Sequence, residues 1–204
     1  MKKIVARTMR SNKDVEIISH KVAFQGYFRI EKYRLKYRLF AGGWSNPVDR
    51  ELFERGRAAA VLPYDPILNK VVLIEQFRVG ALEDELSPWL FETVAGIIDA
   101  GETPEKVCLR EAQEEAGIKI EKLVPITRYW VSPGGCTEHV DLFCGQVDAS
   151  DAGGIHGIDD EFEDIKVHVV DVADAFAMVR SGMIANPPAI ISLQWLELRK
   201  CKVF

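Results

Sequence analysis

Two unbroken apolar runs, Ala58-Ala59-Ala60-Val61-Leu62 and Val71-Val72-Leu73-Ile74, stand out in a chain that elsewhere mixes apolar and polar positions. Such short apolar runs predict strands that begin a new sheet. Pro63, Asp65, Pro66 and Asn69 separate the two runs and predict a hairpin connection. Residues 15–39 have a different texture. There, β-branched and aromatic side chains interleave with charges, which predicts antiparallel strands, and Ala41-Gly42-Gly43 reads as a turn. The change of texture places a boundary near Gly56, with a small β-rich region over 1–56 and a full domain over 57–204.

Beyond a strand predicted over 89–94, Thr103 and Pro104 mark a helix start as N-cap and first helical residue. Gly117 is placed to end that helix. At 100° per residue, Cys108, Leu109, Ala112 and Ala116 share one face, and Glu111, Glu114 and Glu115 gather on another. One side is expected to pack and the other to offer carboxylates; Val107 falls on the acidic side and does not fit. Further strands are expected over 124–131, 140–147 and 165–170, and helices over 172–180 and 189–199. Strands and helices interleave without regular β-α-β spacing. The pattern therefore favours an α+β fold, a mixed β-sheet sandwiched between helices, over a doubly wound one.

Composition narrows the function classes. A length of 204 residues with 48% hydrophobic and 28% charged content is that of an ordinary globular chain. A formal charge of -5 lacks the basic footprint that nucleic acid requires. No 18 apolar residues run together, and residues 1–10 lack an apolar leader stretch, so neither membrane nor secretion is indicated. Cys108, Cys136, Cys144 and Cys201 form no C-x-x-C pair, which reads as a reduced, cytoplasmic chain. His20, His139, His156 and His168 are scattered without zinc-ligand spacing.

The chemistry concentrates between Gly96 and Ile118. Gly96-Ile97-Ile98-Asp99-Ala100-Gly101-Glu102 is followed, seven residues on, by Arg110-Glu111-Ala112-Gln113-Glu114-Glu115-Ala116-Gly117-Ile118. Average composition would produce its fixed glycines, glutamates and arginine by chance on the order of once in 10^8 windows. Mg²⁺ and Mn²⁺ favour oxygen ligands, so carboxylates on one helical face can hold such ions against phosphate oxygens. Glu111 and Glu115, four apart, are the leading metal-ligand candidates and Glu114 the next. Arg110 is expected to bridge carboxylates, and Gly96 and Gly101 to permit the turns that bring loop to helix. An isolated cluster of this kind would read as a solvated acidic face with Arg110 paired to Glu114.

This pattern is identified as the Nudix box, and the chain closely resembles bacterial ADP-ribose pyrophosphatases over nearly its whole length. Arg50-Glu51-Leu52-Phe53-Glu54-Arg55-Gly56, Leu73-Ile74-Glu75-Gln76-Phe77-Arg78, Ser132-Pro133-Gly134-Gly135 and Gly154-Ile155-His156-Gly157 carry the resemblance, and Pro133 stands where the family marks ADP-ribose specificity. The resemblance implies the Nudix fold and metal-dependent hydrolysis of a nucleoside diphosphate sugar, ADP-ribose first, to AMP and ribose 5-phosphate. Another such sugar, for example GDP-mannose, and a non-catalytic nucleotide sensor are the alternatives. It implies that the carbonyl of Ala95 helps bind metal and that Arg78 contacts the diphosphate, with Ile97 and Glu138 also on the substrate side. Tyr27, Phe28, Arg50, Glu51 and Arg55 would bind the adenosine end, some from the partner subunit of a homodimer, and the Ser132, Pro133 and Gly134 loop would lie near ribose or phosphate. Residues 148–164 read as a Gly-bearing loop with an acidic run; the resemblance makes Glu161 the general base and Glu163 a metal ligand.

Overall fold

The computed structural model describes residues 10–158 and 162–204. Two compact units emerge: the described part of Met1–Arg55 with Ser132–Glu138, and Gly56–Val131 with His139–Phe204.

In the first unit, β1 (Val15–Gln25), β2 (Arg29–Tyr37) and β3 (Val48–Glu54) form an antiparallel sheet in the order β1-β2-β3. The segment Ser132–Glu138 runs along β3, with Phe53 N–H donating to the Gly135 carbonyl at 2.7 Å and Thr137 N–H to the Phe53 carbonyl at 3.0 Å. Among the described residues, none of the fully buried apolar side chains belongs to this unit. Every residue of β1 is exposed, Ile17 and Phe24 by 59% and 62%. The unit's buried side chain is Glu31, which accepts hydrogen bonds from Tyr33 Oη at 2.8 Å and pairs with Arg29 Nε at 2.8 Å.

The second unit is built on an eight-stranded mixed sheet. Its strands are β4 (Arg57–Asp65), β5 (Lys70–Phe77), β6 (Trp89–Glu92), β7 (Val94–Ile97), β8 (Lys122–Trp130), β9 (His139–Gln146), β10 (Gly154–His156) and β11 (Ile165–Asp171). The order is β10-β11-β5-β4-β9-β8, with β6 on β5 and β7 on β4. Among the described residues of this sheet, only β4 and β9 pair in parallel. β4 and β5 pair directly at Tyr64↔Val71 and Asp65↔Lys70, and the sheet then forks. β7 takes the remainder of β4, and β6 takes the remainder of β5.

Alternation explains the layers. Ala59, Val61, Val72 and Ile74 point to one face, where α1 (Pro104–Ala116) packs with Val107, Cys108, Ala112 and Ala116. Leu62, Tyr64, Val71 and Leu73 point to the other, against Val172 and Ala175 of α2 (Val172–Ser181) and Ala189, Leu193 and Leu196 of α3 (Pro187–Leu198). Burying each large aliphatic side chain is worth about 1.5–3 kcal/mol, so runs apolar on both faces belong at the sheet's centre. Asp65, itself buried, closes the hairpin by accepting from the Ile67 and Leu68 N–H groups. The sandwich of a mixed sheet between helices agrees with the sequence pattern.

Several boundaries differ from the sequence reading. Pro63 and Asp65 lie inside β4, so the turn is confined to the residues after them. The single strand expected over 89–94 is two strands, because the chain changes partner from β5 to β4. The loop expected over 148–164 contains β10, paired to β11. No helix among the described residues is long and apolar enough to cross a membrane.

Candidate active site

Helix α1 begins where its caps predict. Thr103 Oγ1 accepts from the Lys106 N–H, Pro104 opens the helix, and Gly117, left-handed at φ 63°, closes it. Its faces differ from expectation. Leu109 is 45% exposed, while Val107 is fully buried and Glu115 is only 4% exposed. The inward stripe therefore includes Val107, Glu111 and Glu115 beside the small apolar residues. Glu111 and Glu115 are turned toward β7 and not away from the sheet, while Glu114 stays outward with Arg110.

Strand β7 meets them. The backbone N–H of Ala95 donates to Glu115 Oε2 at 3.1 Å. Gly96 lies so close to Glu111 that a β-carbon there would stand 1.8 Å from Oε1. A glycine in this strand is thus required by close approach rather than by an unusual dihedral. Arg110 bridges the cluster as expected, reaching Glu102 at 3.4 Å and Glu111 and Glu114 at 2.9 Å each. Its several carboxylate partners outweigh desolvation and raise its pKa.

Burial is the largest influence on both inner carboxyls. It pushes Glu115 up to about 8, opposed by the Ala95 N–H and Arg78 and reinforced by Glu111 and Glu163. Glu111 is pushed up to about 7, with burial and the charges of Glu114 and Glu163 prevailing over Arg110. The buried Glu115 and half-buried Glu111, near enough to Glu163 to feel its charge and with a backbone strand alongside, fit a hard divalent ion, for which oxygen donors are the preferred ligands. Among the described residues, no three acidic, imidazole or thiol groups already converge as a coordination shell.

Arg78 follows β5 and holds Glu92 through Nε at 3.1 Å and Nη2 at 2.7 Å. Desolvation opposes its charge, but the bonds and charge of Glu92, with Glu115 and Glu163 beyond, outweigh this and raise its pKa. Glu92 also accepts from Gln76 Nε2 at 3.3 Å. The sequence reading missed Glu92. Its signal was a charged residue opposite Ile74, on the sheet face that otherwise packs against α1. Ile97, the last residue of β7, is 45% exposed.

Glu163 is tied to Ile158 by hydrogen bonds in both directions, N–H to carbonyl at 3.3 Å and Ile158 N–H to Oε2 at 3.4 Å. Glu161, the expected general base, lies outside the described residues.

In the first unit, Phe28 packs edge-on against Tyr27 at 4.8 Å and Phe53 at 5.0 Å. Arg55 lies over the Phe28 ring at 4.8 Å and pairs with Glu138 at 3.3 Å. Tyr27 is 88% exposed. The Ser132 carbonyl accepts from the Gly135 and Cys136 N–H groups, shaping the turn around Pro133 and Gly134. Arg50 and Glu51 do not join this group. They sit four to five places earlier along β3, about 13–16 Å at the usual rise, where Glu51 pairs with Lys32 at 3.8 Å.

The model of the NUDIX domain matches residues 54–190. ADP-ribose pyrophosphatase of Escherichia coli (strain K12) is 48% identical over 185 residues, 91% of this chain and 88% of that protein. The Haemophilus influenzae protein of the same name is 47% identical, over 92% and 88%. GDP-mannose pyrophosphatase of Cronobacter sakazakii is 36% identical, over 91% and 96%. A crystal structure of an ADP compounds hydrolase superposes with a TM-score of 0.67 at 18% identity, covering 94% of this chain and 98% of the other, and shares the fold.

Proposed function

Because the chain belongs to the NUDIX family, we propose that it hydrolyses the diphosphate of ADP-ribose to AMP and ribose 5-phosphate with a divalent metal, Mg²⁺ or in its place Mn²⁺. The observation that carries this is the half-buried Glu111 and buried Glu115 against β7, with carboxyls pushed up to about 7 and about 8. Such a pair is poised to accept a cation. The names of the relatives at 47–48% identity supply the substrate.

In this reading Glu111, Glu115, Glu114, Glu163 and the Ala95 carbonyl hold the metal. When bound, the metal offsets phosphate charge and lowers the pKa of a coordinated water. Arg110 keeps the outward carboxylates from swinging away. Arg78, oriented by Glu92, presents the rest of its guanidinium to the diphosphate. Glu161 takes the proton from the attacking water. Tyr27, Phe28 and Arg55 offer aromatic and cationic surface to a base, Glu138 orients Arg55, and Ile97, Ser132, Pro133 and Gly134 complete the substrate contacts. Arg50 and Glu51 serve the adenosine end from a second subunit.

That last assignment requires a homodimer. Among the described residues, the first unit buries no large apolar side chain and leaves Val15, Ile17, Val22 and Phe24 exposed along β1. A second copy covering that strand would stabilise it. The free thiols fit a cytoplasmic setting.

The test is a substrate panel of ADP-ribose, GDP-mannose, NADH and diadenosine polyphosphates with Mg²⁺, with products separated by chromatography. ADP-ribose should give the highest kcat/KM, with AMP and ribose 5-phosphate in equal amounts. Faster cleavage of GDP-mannose, the substrate named for the 36% identical relatives, would overturn the choice.

A further inference from the structure

His156 has no part in the reaction as proposed, yet it touches the end of the helix that carries Glu111 and Glu115. We infer that His156 is a positioning residue: its ring clamps the segment bearing Glu163 to the C-terminal cap of α1. The inference rests on the reading that Glu111, Glu115 and Glu163 serve one centre.

The first contact is with Gly117. A β-carbon on that residue would stand 2.6 Å from His156 Cε1 and 3.2 Å from Nδ1, so the ring lies flush on the cap's backbone. Gly117 thus answers two demands, a left-handed φ of 63° and room for an imidazole. The ring is held there by its own strand, since Nε2–H donates to the Gly153 carbonyl at 2.8 Å.

From His156 the connection runs on to Glu163 through short covalent and hydrogen-bonded steps. His156 pairs with Ile165, which is fully buried two residues beyond Glu163. Gly157 follows at φ 107°, and a β-carbon there would stand 2.7 Å from the Glu163 carbonyl oxygen, so the two backbones touch. Ile158 then exchanges its two bonds with Glu163. At the far end, Glu163 is close enough for its charge to bear on both Glu111 and Glu115. A continuous route of contacts therefore joins the helix cap to the carboxylate whose charge bears on the helix's own acidic pair. Removing the ring breaks the route at its first link, so the Glu163 segment loses its hold on the cap although no carboxylate is removed.

The full-length protein tests this with His156→Ala, His156→Phe, Gly117→Ala and the Gly117→Ala/His156→Ala double variant. Mn²⁺ binding without substrate is followed by electron paramagnetic resonance, and amide hydrogen exchange at Ile158 and Glu163 by mass spectrometry. His156→Ala should weaken Mn²⁺ binding roughly 2- to 12-fold, the usual worth of one hydrogen bond, and speed exchange at both amides. His156→Phe, which keeps the ring on Gly117, should recover part of each and shows the same effect if the alanine variant folds poorly. Gly117→Ala should disturb exchange at Glu163 in the parent but add little in the His156→Ala background, where the ring is gone. Additive effects, or unchanged exchange at Glu163 in both histidine variants, would overturn the inference. A wild-type protein that failed to bind Mn²⁺ or cleave ADP-ribose would refute the functional reading instead, and the exchange cycle would still decide the role of His156.

Discussion

Gly96→Ala tests the site through a single methyl group. The added β-carbon would lie 1.8, 2.3 and 2.6 Å from Oε1, Cδ and Cγ of Glu111. Carbon and oxygen atoms need more than 3 Å, so the carboxylate must retreat by more than about 1 Å. Either partner could yield, but β7 is anchored by its ladder to β4, with Gly96 opposite Ala59 in the core. The Glu111 side chain, held at its end among the described residues only by Arg110 at 2.9 Å, is the softer partner. Misplacing a reacting group by about 1 Å costs on the order of 10²-fold. Gly96→Ala should therefore lower kcat/KM for ADP-ribose by about 10²-fold at saturating Mg²⁺ and leave the melting temperature within a few degrees. Glu111→Asp, about 1.5 Å shorter, should restore part of the loss when combined with Gly96→Ala. Activity within threefold of wild type would refute the reasoning. So would a large fall in melting temperature, which would mean that the strand had moved instead.

The raised carboxyls predict a pH dependence of the metal-free protein. Between the ordinary glutamate value of 4.5 and the folded values of about 7 and about 8, the folded state holds more protons than the unfolded one. Stability in EDTA should therefore fall as pH rises from about 4.5 to 8, by a few kcal/mol at about 1.4 per unit, and Mg²⁺ should remove most of the fall. Glu31, Glu102 and Asp148 are held below their usual values and act only at more acid pH; melting curves that stayed flat from pH 5 to 8 in EDTA would count against the Glu111 and Glu115 pair. Glu161→Gln should reduce kcat by about 10²- to 10⁴-fold with KM little changed, while Glu163→Gln should be partly rescued by more Mg²⁺, and a Mg²⁺ titration separates them. Light scattering at micromolar concentration should report a dimer; a fully active monomer would dismiss the second-subunit role of Arg50 and Glu51.

The sequence carried the local features and lost the ones that depend on neighbours. Thr103, Pro104 and Gly117 mark the bounds of α1 because capping is decided within a few residues. Which side of α1 meets the sheet is decided elsewhere, and so Leu109 was placed inside and Glu115 outside. The apolar runs of β4 and β5 were readable, but the fork that seats β7 beside α1 depends on strands distant in sequence. Register likewise sets Arg50 apart from Arg55, and the pairing of Arg78 with Glu92 needs β6 laid against β5.

The parallel pairing of β4 with β9 has a kinetic consequence. It joins a strand that begins at Arg57 to one that begins at His139, and α1 with its carboxylates lies inside the loop thus closed. Contacts this distant form late, after the local hairpins. During synthesis β7 and α1 emerge before β9 can complete the middle of the sheet, so for an interval Glu111 and Glu115 stand on an unfinished scaffold. A chain cut short before His139 would retain the whole acidic motif and lack the strand against which β4 closes, and it would be a substrate for proteases rather than a smaller enzyme.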